Sequence, residues 1–228
     1  MQEPIHYVPL ANLTRIMRQI LPENTRISED AKQTLQVCVS AFIRFLTNKA
    51  KERCQQDCRV TITPEDILWA GKNLGFNDYV EPLTIFLSRL RDVEDFNILP
   101  VVIPATQNQD VDPTNTGINE EQPIPHVAMR EPIHYVPLAN LTRIMRQILP
   151  ENTRISEDAK QTLQVSVSAF IRFLTSKAKE RCQQDCRVTI TPEDMLWAVR
   201  NLGFNDFVEP LTIFLSRLRD VEGEHYSA

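Results

Sequence analysis

Two pairs of cysteines, Cys54/Cys58 and Cys182/Cys186, stand four residues apart, and four such thiols could hold zinc. Each C-x3-C falls at a helix end with no histidine nearby, so no metal site is expected. The histidines His6, His126, His134 and His225 lie near the termini or between the two halves of the chain. None stands beside a plausible nucleophile. Glu65-Asp66 and Glu193-Asp194 each follow Thr-Pro, where acids favour the positive end of a helix, so they are read as helix-start residues and not as catalytic dyads. No GxGxxG, P-loop or GxSxG motif occurs, and 5 Gly against 15 Pro argues against a nucleotide-binding α/β enzyme. The expectation is a protein that is not an enzyme and needs no cofactor. What remains is electrostatic: Arg15, Arg18, Arg26 and Arg59, with Arg143, Arg146, Arg154 and Arg187, are of the type that meets phosphate.

The elements that must position these residues are set by a repeat. Glu3 to Glu94 recurs as Glu131 to Glu222 at an offset of 128, and the only differences are Cys38/Ser166, Asn48/Ser176, Ile67/Met195, Gly71/Val199, Lys72/Arg200 and Tyr79/Phe207. Three segments follow: copy 1 over 3–94, a Pro-rich acidic linker over 95–130, and copy 2 over 131–222. The linker holds five prolines and many Asn, Gln and Thr residues, a composition that orders poorly. The net charge of −5 belongs to the linker and tail, because acids and bases balance within each copy. The overall acidity therefore does not exclude basic patches on the folded units. The opening residues lack the cationic and apolar regions of a secretion signal, and five cysteines, an odd number, suit a reducing compartment. No apolar run approaches the length of a membrane span.

Within copy 1, Leu10, Leu13, Ile16, Met17, Ile20 and Leu21 follow a 3–4 spacing and predict a short amphipathic helix ending before Pro22. Ser28 is a good N-cap, followed by Glu29 and Asp30, and no Gly or Pro interrupts the chain from there to Asp57. That predicts one long helix with an apolar stripe of Ala31, Leu35, Cys38, Val39, Phe42, Ile43, Leu46 and Ala50. Val60-Thr61-Ile62 reads as a short extended piece. Thr63-Pro64-Glu65-Asp66 then starts a short helix in the manner of a capping box. A last helix is expected from Tyr79 to about Asp92. A long helix between two short ones cannot cover its own stripe, so each copy should cross its long helix over that of a partner.

Pro9-Leu10-Ala11-Asn12-Leu13-Thr14-Arg15-Ile16-Met17-Arg18, Val37-Cys38-Val39-Ser40-Ala41-Phe42-Ile43 and Thr61-Ile62-Thr63-Pro64-Glu65-Asp66-Ile67-Leu68 resemble, in order, motifs of the B subunit of nuclear factor Y, the CCAAT-binding factor. Trp69 and Leu83-Thr84-Ile85-Phe86 resemble its plant LEAFY COTYLEDON type. The resemblance implies an all-α protein of two tandem histone folds, each a short, long and short helix plus a C-terminal helix, joined by a flexible linker. It implies a transcription-factor component in the nucleus that pairs with the histone-fold C subunit of that factor and binds the backbone of double-stranded DNA at CCAAT-type promoters. It does not imply a membrane or a small-molecule substrate. The DNA-contact segment would be Val8, Pro9, Leu10, Ala11, Asn12, Leu13 and Thr14, repeated as Val136, Pro137, Leu138, Ala139, Asn140, Leu141 and Thr142, with the eight arginines named above. Association between subunits would fall to Leu35, Val39, Phe42, Ile43 and Leu46, and to Leu163, Val167, Phe170, Ile171 and Leu174.

The chain departs from the family pattern at Val37 and Ala41, where the family has glutamates, and at Arg44, where it has a serine. Those acids receive the basic helix of the family's A subunit, so efficient recruitment of that protein is not expected. Val60 replaces a family lysine, which removes one phosphate contact per copy. A second arrangement is open: the two copies pair with each other as a self-contained interaction protein, or hold C subunits without recruiting the A subunit.

Overall fold

The computed structural model describes residues 6–73 and 134–202, together with Glu209, Thr212 and Ile213. The linker over 95–130 lies outside these residues. So does the expected C-terminal helix of each copy, apart from Glu209, Thr212 and Ile213, which are helical.

Copy 1 runs α1 (Leu10–Arg18), β1 (Arg26–Ile27), α2 (Glu29–Gln56), β2 (Thr61–Ile62) and α3 (Pro64–Asn73). Copy 2 repeats the order as α4 (Leu138–Arg146), β3 (Arg154–Ile155), α5 (Glu157–Gln184), β4 (Thr189–Ile190) and α6 (Pro192–Asn201). The long helices begin where Ser28 and Ser156 accept from the backbone N–H of Ala31 and Ala159, with two acids in each first turn. Each then runs for 28 residues, roughly 42 Å at 1.5 Å per residue. Buried hydroxyls along them return a hydrogen bond to the carbonyl four residues earlier: Thr34 to Asp30, Ser40 to Gln36 and Thr47 to Ile43. Polar residues thus sit within the stripe without an unmet donor.

Both long helices end the same way. The N–H of Cys58 donates to the Gln55 carbonyl and that of Arg59 to the Cys54 carbonyl, while Cys58 takes a φ of 53°. This is a Schellman closure, and its left-handed position is one that glycine usually fills. The composition gave no sign of it. The short third helices start on their aspartates. The Thr63 N–H and hydroxyl donate to Asp66 Oδ2 at 2.9 and 3.2 Å, and Thr191 does the same to Asp194.

Within this single chain the two copies pair with each other. β1 pairs in parallel with β4 and β2 with β3, so each two-stranded sheet takes one strand from each copy. The long helices α2 and α5 contact each other, and each also contacts the first and third helices of the opposite copy. At the crossing the Phe42 and Phe170 rings stack, with centroids 4.2 Å apart. One continuous core results, joining Leu13, Ile16, Met17, Leu35 and Ile43 of copy 1 with Leu141, Ile144, Met145, Leu163 and Ile171 of copy 2. The stripe that neither copy could cover is covered by the other.

Candidate nucleic-acid interface

The parallel bridges decide which loops are neighbours. Arg26 stands opposite Thr189 and Ile27 opposite Ile190, with the Arg26 N–H donating to the Val188 carbonyl at 2.8 Å. At the other bridge Thr61 stands opposite Arg154, whose N–H donates to the Val60 carbonyl at 2.7 Å. The loop before each long helix is therefore clamped to the loop after the long helix of the other copy. Each junction carries an exposed arginine, Arg26 or Arg154, and an exposed valine, Val188 or Val60.

The first helices add to these junctions. Arg15 and Arg18 are exposed in the last turn of α1, as are Arg143 and Arg146 in α4. Arg18 Nη1 donates to the Thr25 carbonyl at 2.5 Å and Arg146 Nη1 to Thr153 at 2.6 Å, which braces the loops that hold Arg26 and Arg154. Arg15, Arg18 and Arg26 thus belong to one end of the paired unit. Pro9 and Ala11 are exposed, and Leu10, Asn12 and Thr14 are part-buried, with the same pattern from Pro137 to Thr142. Val8, Leu13, Val136 and Leu141 are fully buried, so only their backbone could meet a ligand.

Arg59 and Arg187, part-exposed, are also held by carboxylates. Arg59 donates through Nη1 and Nη2 to the two carboxylate oxygens of Asp66 at 2.9 and 2.7 Å, and through Nη2 to Asp57 at 2.9 Å. Arg187 does the same with Asp194 and Asp185. Asp66 is completely buried and also stands 3.6 Å from Arg53 Nε. Burial pushes the Asp66 carboxyl up, but the Arg59 hydrogen bonds and the Thr63 N–H outweigh it and hold it below its ordinary value. The same contacts raise Arg59 further above its ordinary value. These arginines tie the second loop to the third helix, a structural duty their sequence position did not disclose.

All ten residues expected to carry the association between subunits are buried in the common core. Of the cysteines, Cys54 Sγ donates to the Arg59 and Thr61 carbonyls, whereas Cys58 is exposed at the helix end. Among the described residues no group of three His, Cys, Asp or Glu is arranged to hold a metal. Cys38 is buried, which pushes its thiol up to about 12, and Ser166 occupies its place in copy 2.

Sequence reasoning missed one set of contacts. Arg44 Nη2 donates to Gln147 Oε1 at 2.9 Å, and the His6 N–H donates to the same oxygen at 3.2 Å. The counterpart joins Arg172 Nη2 and the His134 N–H to Gln19 Oε1 at 2.7 and 3.2 Å. Arg44 stood out only as a departure from a family pattern, and Gln19 gave no signal.

Two short–long–short helix units, crossed at their long helices and bridged loop to loop, define a histone-fold pair. The crystal structure of the histone from Methanopyrus kandleri shares this fold, with a TM-score of 0.52 at 21% identity. It covers 84% of this chain and 93% of its own, so both copies match one chain. The sequence matches the family of histone-like transcription factors (CBF/NF-Y) and archaeal histones over residues 6–70 and 134–199, and the chain belongs to that family. The B-9 subunit of nuclear transcription factor Y from Arabidopsis thaliana is 51% identical over 114 residues, which is 50% of this chain and 48% of that protein. The B-6 subunit from the same plant is 50% identical over 111 residues, 49% of this chain and 45% of its own. The B subunit of nuclear transcription factor Y from Zea mays is 45% identical over 97 residues, 42% of this chain and 54% of its own. The chain spans about half the length of the curated relatives it matches.

Proposed function

We propose that this chain is a nuclear transcription-regulating protein, not an enzyme, that grips the backbone of double-stranded DNA as a histone-fold pair supplied entirely by one polypeptide. The observation that carries this reading is the loop pairing. Arg26 lies with Arg15 and Arg18 of its own copy, tied by the Arg18–Thr25 hydrogen bond, and Arg154 lies likewise with Arg143 and Arg146; clamping each first loop to the other copy's second loop fixes both clusters on one paired unit. Exposed arginines beside loop amides and helix starts suit phosphate oxygens, and contacts of that kind carry no base preference. The segments at Pro9–Thr14 and Pro137–Thr142 present the starts of α1 and α4 to the same ligand. Double-stranded DNA should bind with an affinity that falls steeply with salt. Changing Arg15, Arg26, Arg143 and Arg154 to Ala should weaken binding to all duplexes alike and reduce the salt slope by roughly one per lost contact. Gel shifts over a salt series, with melting curves to verify folding, test this. Unchanged affinity in the folded variant rejects the reading.

A second reading is favoured by the likeness to the B-type relatives. Here each copy releases the other and takes a histone-fold C subunit, forming two pairs at CCAAT-type promoters. The linker proposed for 95–130 opposes this exchange by holding the copies at a high effective concentration. Light scattering with added C subunit separates the two readings. A chain that stays at 26.3 kDa remains self-paired, whereas a complex with two C subunits supports the exchange. In either assembly the A subunit would meet Val37 and Ala41 in place of acids, and Arg44 and Arg172 nearby. Efficient trimer formation on CCAAT is not expected unless Val37, Ala41, Val165 and Ala169 are changed to Glu.

A further inference from the structure

We propose that Arg44 with Gln147, and Arg172 with Gln19, form a pairing lock that holds the two histone-fold units together and disfavours any partner unit with a cation at the position of either glutamine. This rests on the observed pairing of the two copies and not on any ligand they bind. Each lock joins elements more than a hundred residues apart in sequence, a long helix of one copy and the end of the first helix of the other. The glutamine oxygen accepts two donors, the arginine Nη2 and the backbone N–H of His6 or His134. Both donors belong to the copy opposite the glutamine. A carbonyl oxygen offers two lone pairs, so both are used.

The surroundings make the choice selective. Arg44 and Arg172 are part-buried, and burial lowers Arg172 from its ordinary value, partly offset by Tyr135 beside it. A part-buried guanidinium facing a second cation would be poorly screened. A partner with lysine at the position of Gln19 or Gln147 would therefore bring two penalties. It would repel the arginine, and it would leave the His6 or His134 N–H without its acceptor. A partner with glutamine or glutamate there satisfies both donors. The locks occur twice because the two copies are nearly identical, so a like partner satisfies every donor at once.

The position of the glutamines allows a test in which the local and cross-copy effects have opposite signs. Gln19 and Gln147 are the C-caps of α1 and α4. Within its own helix, a C-terminal residue is favoured as a cation and disfavoured as an anion. The arginine of the other copy asks for the reverse. In the full chain, Gln19→Lys with Gln147→Lys should lower the melting midpoint by roughly 4–8 °C, and Gln19→Glu with Gln147→Glu should leave it unchanged or raised. In a background of Arg44→Ala with Arg172→Ala the order should invert, with the lysine chain melting above the glutamate chain. Should the lysine chain fail to fold with the arginines present but fold in their absence, the lock is equally supported. Lysine melting at or above glutamate while the arginines remain overturns the proposal, and so does an order indifferent to the arginines. None of these measurements involves DNA, so their failure is separate from failure of the DNA-binding reading.

Discussion

Phe42 and Phe170 stack across the crossing of the two long helices, their centroids 4.2 Å apart and their planes 16° from parallel. Each ring comes from a different copy, so the centre of the core belongs to neither copy alone. Phe42→Ala should cost about 3–5 kcal/mol, as for other large-to-small core changes. Because the lost contacts are shared, calorimetry should show one cooperative transition moving down as a whole. Two separable transitions, with only copy 1 affected, would contradict a shared core.

The buried carboxylates set an acid limit. Asp66 and Asp194 are held below their ordinary values in the folded chain. A group depressed on folding stabilises above its unfolded pKa, about 3.9 for Asp, and that stability is lost as pH falls through the folded value. The melting midpoint should therefore drop below about pH 4. Asp66→Asn with Asp194→Asn should be less stable at pH 7 and should fall less between pH 6 and pH 3. A parallel acid drop in both proteins would assign it to other groups.

Arg59 and Arg26 should separate folding from binding. Arg59→Ala takes the nearest cation from the buried Asp66 carboxylate, leaving it Thr63 and the more distant Arg53, and should cost about 2–3 kcal/mol. Arg26→Ala, on an exposed side chain, should change stability by less than about 0.5 kcal/mol while weakening DNA binding. Melting and gel shift on the same two variants give the answer. A stable Arg59→Ala chain with weakened DNA binding would assign Arg59 to DNA contact, as expected from the sequence.

The helix ends offer a stabilising change. Cys58 and Cys186 hold φ of 53° and 54° in the left-handed region, where a β-carbon is unfavourable. Glycine removes that penalty but adds freedom to the unfolded chain. Cys58→Gly with Cys186→Gly should gain about 0.5–1 kcal/mol per site. That is a rise of roughly 2–4 °C per kcal/mol at this chain length. A midpoint that falls would show that the exposed thiols make contacts outweighing the backbone cost.

The third helices differ at one position. Val199 is buried in the core, whereas its counterpart Gly71 is part-exposed and brings no side chain in copy 1. Glycine inside a helix costs about 1 kcal/mol relative to alanine. Gly71→Val should therefore stabilise by about 1–2 kcal/mol, combining helix propensity with burial. Denaturant unfolding measures it, and no gain would mean that the copy 1 site cannot admit the side chain.

Much of this protein was decided within short stretches of sequence. The repeat, the Ser28 cap, the uninterrupted run to Asp57 and the Thr63-Pro64-Glu65-Asp66 start are local patterns, and each governs backbone hydrogen bonds a few residues away. The stripe from Leu35 to Ala50 also announced that a partner was required, because too few side chains in one copy could cover it. It could not say which partner, since an apolar stripe accepts any surface of matching shape. In the folded single chain the other copy covers it, through Phe42 on Phe170 and through bridges that join Arg26 to Val188 and Arg154 to Val60. Tertiary structure also divided eight arginines of one chemical type among different duties. Arg15 and Arg26 are exposed, Arg18 braces a loop, and Arg59 neutralises Asp66, while Arg44, outside that set, closes on Gln147. A guanidinium is the same group at every position. Its role follows from which carboxylate, carbonyl or solvent the folded chain sets against it, and those partners lie too far along the sequence for local pattern to specify.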